Sequence, residues 1–540
     1  MNNLDLKNKF CKLLVFLKNP FKQDLSFFLF LFFLASFVNF IHRSYFISIP
    51  SGIRWSLYGF VDAYFLCLIL PLLKQFPKAR CAYKEVVITL GVLNLISDAI
   101  TCFIANNPDV EFVEFIGLIL GTNVQESIEF FQHYLSFSII PYSLCGLAAL
   151  LLIYKIATKV HPYKIYPLFG LTLLFCAIPI ITIDKYGFRK NIFLGKIHSF
   201  VKEFNQNNRD LKNYYNSPQL IVNEELPDNL IIIIGESLSK DFCSLYGYSK
   251  NTNPLLSTIS DSSLFVFNNV TSAELKTVEN IQYLLSTYNR SSNKNWYECT
   301  TIPEILSTIG YKTYWISNQS EVGLWDNIPT KYANLCDTTL FVGNKTTFSK
   351  TPIYDEAILD PFKHLFQEEK AYKKAFFIHL LGSHPFFGAR YPKNRKKYNS
   401  EDYPLIPIEQ REMRAHYDNS IIYNDSLINE IFKVTEKNES ISFYFSDHGL
   451  DIFAVDPDYV GHGRKGIKAS EEHAKRIPFM IYCSKQYLDR HQNEIELINN
   501  SLGNEFVSDD FLFSLMDILG VELTEEKANT NNSLFGTGDE

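Results

Sequence analysis

Four side chains in this 540-residue sequence have the right types for metal-assisted group transfer: Glu236 in "LIIIIGES", Thr277 in "ELKTVENIQYLLS", and Asp447 and His448 in "FSDHG". Two hard oxygens and an imidazole suit Zn2+ or Mn2+. Thr277 is a candidate fourth ligand, and a metal would lower the pKa of its hydroxyl enough to make it a useful nucleophile. The residues after it are apolar at 278, 281, 284 and 285, a helical spacing. A helix starting there directs backbone N–H groups and the positive end of its dipole at any nearby anion, which favours phosphate. Each residue also has a plainer reading. Thr277 is then an ordinary N-cap, and Asp447–His448 a hydrogen-bonded turn.

The elements around these residues read as α/β. Continuous apolar runs at 229–235, 312–317, 374–381, 441–446 and 477–483 are separated by helix-length stretches, as in the central strands of a largely parallel sheet. Glu236 follows the first run, Asn318 and Gln319 the second, and His384 stands three residues past the third. Asp447 and His448 follow the fourth. Ligands of open α/β sheets bind beyond the carboxyl ends of the strands, so these residue types converge on one edge.

The N-terminal third has a different solvent in view. Residues 26–41 carry no charge, and apolar stretches recur at about 54–73, 86–105, 133–154 and 166–183. Each is close to the ~20 residues a helix needs to cross a bilayer, which gives about five spans. No small-residue cleavage site follows the first, so it is read as a span and not a cleaved signal. Lys and Arg crowd the N-terminus and the loops at 74–84 and 155–164. The positive-inside rule then puts the N-terminus in the cytoplasm and everything after about residue 185 on the far side. The expected domains are a membrane part at 1–190 with an outer loop at 106–132, a connecting helix and loop at 191–228, and a catalytic domain at 229–540. The formal charge of −7 has no basic block, which argues against nucleic acid. Ten cysteines occur without a CxxC pair, and an oxidising compartment permits a Cys299–Cys336 disulfide.

"GESLSKDFCSLYGYSKNTNP", "ELKTVENIQYLLS", "WISNQS", "GSHPFF", "FSDHG" and "YVGHG" occur in that order. With five preceding spans, this set resembles the phosphoethanolamine transferases that modify lipopolysaccharide, multi-pass inner-membrane enzymes whose periplasmic domain has an alkaline-phosphatase or sulfatase-like fold. The resemblance covers essentially the whole chain. It implies that Glu236, Thr277, Asp447 and His448 hold zinc, with Thr277 the nucleophile that carries phosphoethanolamine. It implies that His384 and His462 hold phosphate or shuttle protons, with His473 the competitor for the second role. Asn318 and Gln319 fall where polar donor-site residues lie, and Thr122 and Glu126 match positions linked to lipid substrate. The implied partners of a monomer are phosphatidylethanolamine as donor, lipopolysaccharide as acceptor and membrane lipid around the spans.

The sequence also departs from the lipid A-modifying members. Ala273 and Tyr283 stand where a disulfide is common, Leu450 replaces a glutamate, and a lysine near "WISNQS" is missing. "GES…LYGY" and "SHPF" lean toward the subgroup acting on core heptose or other sugars. A sulfatase activity would need a Cys or Ser in a C/S-x-P-x-R context, which "KTVENIQ" lacks. Phosphoglycerol transferases of the lipoteichoic acid synthase type share the threonine and "SHPF". The alternative of another class is a non-catalytic membrane scaffold with the same fold.

Overall fold

A computed structural model of the chain describes residues 15–17, 24–46, 49–103, 218–319, 321, 327–343, 353–368, 371–457, 459–463, 467–524 and 533–536. The chain divides into two compact units, Met1–Gln206 and Asn207–Glu540.

In the first unit three helices are described: α1 (Leu25–Phe46), α2 (Ile49–Leu68) and α3 (Pro77–Phe103). The first packs on the other two, and Phe28, Leu31 and Leu34 meet Val61, Tyr64 and Cys67 in a shared apolar core. Asp24, just before α1, is buried because Arg80 and Lys84 of α3 neutralise it at 2.8 and 3.1 Å. These helices fall on the first three expected spans. Among the described residues no helix is long and apolar enough to cross a membrane. The expected spans at 133–154 and 166–183 lie outside the described residues, as do the outer loop at 106–132, Thr122, Glu126 and most of the connecting segment.

The second unit is built on a seven-stranded sheet: β1 (Asn229–Gly235), β2 (Leu264–Phe267), β3 (Lys312–Ser317), β4 (Thr338–Phe341), β5 (Lys374–His379), β6 (Ser440–Ser446) and β7 (Phe479–Cys483). The spatial order is β2-β7-β6-β1-β5-β3-β4. The central pairs β1–β6, β1–β5 and β5–β3 are parallel. The largely parallel expectation is corrected at one side, where β7 runs antiparallel to both β6 and β2 and makes the sheet mixed. The short edge strands β2 and β4 were not among the five expected runs.

Five consecutive aliphatics, Leu230 to Ile234, explain the central place of β1. Leu230, Ile232 and Ile234 enter one core and Ile231 and Ile233 the other. Full burial of five such side chains contributes on the order of 10 kcal/mol, as an upper figure. Helices α4 (Thr277–Leu284), α5 (Ile302–Thr308) and α8 (Phe511–Leu519) cover the first face; α6 (Leu359–Glu368) and α7 (Ile408–Thr435) cover the second.

Strand β5 ends at His379, two residues short of the expected run. Leu380 N–H still bonds Ile234, but the next two N–H groups turn to the carboxylate of Asp355. Cys299 and Cys336 are free thiols, not a disulfide.

Candidate active site

At the carboxyl end of β1 the chain makes a sharp turn. Ser237 sits at φ 57°, a left-handed conformation that costs a non-glycine residue about 1–2 kcal/mol. Three bonds hold it there. Its N–H donates to Asp447 Oδ1 at 3.2 Å, its hydroxyl to Glu236 Oε1 at 2.6 Å, and its carbonyl accepts from the Tyr417 hydroxyl at 2.9 Å. The turn thereby fixes Glu236 against the end of the neighbouring strand β6, where Asp447 and His448 follow directly. Asp447 N–H donates to the Gly235 carbonyl at 3.0 Å.

Glu236, Asp447 and His448 are all buried, with one ligand atom from each within 4.8 Å of the others. His448 Nε2 lies 3.4 Å from Glu236 Oε1 and 3.5 Å from Asp447 Oδ2. Its other nitrogen is engaged with the Gly449 carbonyl at 2.8 Å, so Nε2 is the atom aimed at the carboxylates.

Thr277 completes the group. It is the first residue of α4, while the cap position belongs to Lys276 in an extended conformation with no side-chain cap bond. The N-cap reading is thus set aside. The Thr277 hydroxyl donates to Glu236 Oε2 at 3.0 Å and lies 3.3 Å from His448 Nε2. Asn280 locks the approach to the helix by donating to the Glu274 and Lys276 carbonyls.

The fit to a cation rests on Asp447 Oδ2, which is buried without a hydrogen-bond partner among the described residues. A buried carboxylate oxygen of that kind is costly unless a positive group meets it. Burial raises the Asp447 carboxyl, and the Glu236 charge adds to the rise. Burial acts the same way on Glu236, but the hydrogen bond and charge of His448 outweigh it and hold that carboxyl low. Burial opposes the charge on His448, yet Asp447 and Glu236 together push its pKa up. Two acids thus draw a proton onto one imidazole, and a divalent cation bound there would displace it. The donor set of two carboxylates, an imidazole and a hydroxyl matches zinc chemistry.

His462 lies beside this group, its ring 4.7 Å from that of His448. Burial and then the His448 charge push its pKa down to about 3. Nδ1 of His462 and Nδ1 of His384 have no partner among the described residues. His473 is occupied elsewhere, with Nδ1 2.8 Å from Asp241.

Asn318 and Gln319 hold the turn that carries His384. The Asn318 amide donates to Asp355 Oδ1 at 2.8 Å, and the Gln319 amide to the Leu380 carbonyl at 3.0 Å. Asp355 is the residue that sequence reasoning missed. Buried, it also accepts from Leu381 N–H at 2.9 Å and Gly382 N–H at 2.8 Å. Gly382 is needed for its φ of +51° and because a Cβ there would stand 2.8 Å from the Glu236 carbonyl oxygen. His379 was also missed: it is buried, neither ring nitrogen has a hydrogen-bond partner among the described residues, and burial pushes its pKa down to about 4. The one signal for it was a histidine inside the apolar run "KAFFIHLL". Where a disulfide is common in the resembling enzymes, Tyr283 stacks on Tyr288 at 5.1 Å and Lys475 binds the Ala273 carbonyl.

The sulfatase family model matches residues 228–521, more than half of the chain. The chain belongs to the sulfatase family. Among curated relatives, this sulfatase-family chain is 30% identical over 306 residues to phosphoethanolamine transferase EptC of Escherichia coli (strain K12), covering 55% of this chain and 52% of that protein. It is 29% identical over 308 residues to phosphoethanolamine transferase CptA of Salmonella typhimurium, again with 55% and 52% covered. The chain spans about half the length of the curated relatives it matches. The zinc complex of the C-terminal periplasmic domain of Escherichia coli EptC superposes with a TM-score of 0.54 at 25% identity, over 60% of this chain and 91% of that one. The integral membrane lipooligosaccharide phosphoethanolamine transferase A of Neisseria meningitidis shares the fold, with a TM-score of 0.66 at 17% identity over 95% and 98%.

Proposed function

We propose that this chain transfers phosphoethanolamine from phosphatidylethanolamine to lipopolysaccharide, on a core sugar such as heptose or on lipid A, through a phosphothreonine at Thr277. The observation that carries this reading is the Thr277 hydroxyl, free of capping duty and 3.0 Å from Glu236 inside the carboxylate–imidazole group. The names of the relatives and the zinc-bound EptC domain support it. The proposed layout is a cytoplasmic N-terminus, a membrane part at 1–190, a connector at 191–228 and a periplasmic catalytic domain at 229–540, acting as a monomer. Thr122 and Glu126 are proposed to contact lipid substrate.

Glu236, which accepts the Thr277 hydroxyl bond, takes that proton as Oγ1 attacks the donor phosphorus and the bond to the diacylglycerol oxygen breaks. His384 or His462 returns a proton to that departing oxygen. In the second half the histidine that gave its proton takes the proton of the acceptor hydroxyl as that oxygen attacks phosphorus, the bond to Thr277 Oγ1 breaks, and Glu236 returns the proton to the threonine. The positive end of α4 faces the phosphoryl group throughout. Zinc held by Glu236, Thr277, Asp447 and His448 would stabilise the negative charge of both steps. Asn318 and Gln319 act by fixing the turn that presents His384.

The full-length protein in detergent, given phosphatidylethanolamine, is expected to release diacylglycerol and to show a phosphoethanolamine adduct on Thr277 by mass spectrometry. Thr277→Ala should abolish both, and chelation should do so reversibly. An adduct formed only from phosphatidylglycerol would replace the donor. No adduct and no bound zinc would favour the scaffold.

A further inference from the structure

The connection from β5 to α7 carries His384 and then a surface that the site does not use. Lys393, Arg395, Lys396 and Lys397 are all exposed within five residues. Just beyond them Leu405 is 97% exposed and Ile408 77% exposed, on either side of the entry to α7. Aliphatics this open add nothing to the core, and they gain only when a partner removes them from water. Tyr398 lies between cations and aliphatics, with the Lys250 and Lys397 ammonium groups 5.4 and 5.2 Å from its ring centre.

Topology fixes where this surface points. Strand β5 leaves the sheet at the edge that holds Glu236 and Asp447, and α7 then returns across the face to the start of β6. The 393–408 segment therefore joins two elements at the carboxyl edge, and the Lys397 and Tyr398 N–H groups bond Asn419, two residues past the Tyr417 whose hydroxyl holds Ser237. A basic turn next to protruding aliphatics and a tyrosine is the chemistry of a bilayer surface: cations meet phosphates while apolar tips enter the acyl boundary. Of the nearby acids, Asp402 is engaged with the Asn399 backbone and Glu412 with Lys396 and His416, while Glu401 and Glu409 are exposed and leave the cations concentrated at 393–397.

We propose that residues 393–408 form a docking surface for the anionic face of a lipid bilayer, holding the active-site edge of the sheet against the membrane that supplies the donor lipid. The proposal rests on the lipid-substrate reading above, and its first test does not depend on activity.

The full-length protein, in vesicles of phosphatidylethanolamine with and without phosphatidylglycerol, carries the photocrosslinker benzoylphenylalanine at position 405 or 408. Mass spectrometry is expected to find crosslinked lipid at both positions. None is expected at position 372, an exposed tyrosine beside the opposite end of β5. Crosslinks to residues of this chain, or none at all, would overturn the docking surface while leaving transfer chemistry untouched. In the activity arm, Leu405→Asp with Ile408→Asp should raise the apparent KM for vesicle-borne phosphatidylethanolamine at least about tenfold, the size expected for losing two buried aliphatics. The kcat should hold, and turnover of a short-chain, monomeric donor should be unchanged. Phosphatidylglycerol in the vesicles is expected to stimulate turnover at low salt, and reversal of the four cations to Glu should remove that stimulation. An equal loss on both donors would mean that the segment shapes the site itself, and the proposal would fall.

Discussion

Asp355→Asn changes one oxygen to an amide and isolates the positioning of His384 from the chemistry. In the native turn Asp355 Oδ1 accepts from the Asn318 amide and Leu381 N–H, and Oδ2 accepts from Gly382 N–H at 2.8 Å. An asparagine that keeps its oxygen in the shared place turns an NH2 group onto the Gly382 N–H. The lost charge-assisted bond is worth roughly 1.5–3 kcal/mol, and it falls on the residue beside Ser383 and His384. Stability should suffer less than that figure, because burial already raises the Asp355 carboxyl and so charges the fold a cost that an amide removes. The melting temperature is thus expected to shift by no more than about 4 °C. A displacement of about 1 Å at a catalytic group costs on the order of a hundredfold in rate, so kcat should fall by about that factor while zinc content holds. The matched control is Asp425→Asn. Asp425 also accepts two backbone N–H groups, from Leu255 and Leu256, on a turn that carries no site residue. It should shift the melting temperature similarly and leave kcat alone. Transfer at the native rate by Asp355→Asn, or an equal loss of kcat in both variants, would refute the positioning role.

Gly382→Ala forces a methyl group to within 2.8 Å of the Glu236 carbonyl oxygen at a left-handed φ, and should cost about 2–4 kcal/mol with loss of zinc binding; a normal melting curve would show that the turn has room. His379→Leu removes two buried unpartnered nitrogens and should raise the melting temperature by several degrees, read by calorimetry, since each such atom costs about 1–3 kcal/mol. Asp418 is faced by the Tyr248 and Tyr403 hydroxyls, Arg414 and Lys250, and burial pushes its carboxyl up to about 6. A folded-state pKa above the ordinary value contributes stability that is complete below about 3.8 and lost as pH rises to about 6, a difference of about 3 kcal/mol. Asp418→Asn should therefore melt higher than the native protein at pH 7.5 and no higher at pH 4; parallel curves at the two pH values would contradict this.

Strand position was legible in the sequence because burial on both faces demands continuous apolar residues, as in Leu230 to Ile234. Strand direction was not. "FMIYC" reads the same in either sense, so only its pairing with β6 and β2 makes β7 antiparallel. The edge strands Leu264–Phe267 and Thr338–Phe341 are four residues each, too short for a period to rise above the surrounding loops.

The site divides along a similar line. Glu236, Asp447 and His448 were visible because a charged or imidazole side chain directly after an apolar strand is out of place unless something meets it. Whether Thr277 caps α4 or precedes the reaction turns on one residue of register, and that register is set by Lys276 in its extended conformation and by Asn280 bonded across the loop. Asp355 gives no such signal. It lies in "PIYDEAI", one acid of two, and only the fold brings it under the Asn318 amide and the Leu381 and Gly382 N–H groups. Residues that touch the reacting atoms are betrayed by their own chemistry, whereas residues that hold those residues still are ordinary amino acids whose partners lie tens of positions away. This is why a substitution at Asp355 is a sharper test than one at Thr277: losing the proposed nucleophile stops any mechanism that uses it, while losing one acceptor in the turn behind His384 harms only a site assembled as described.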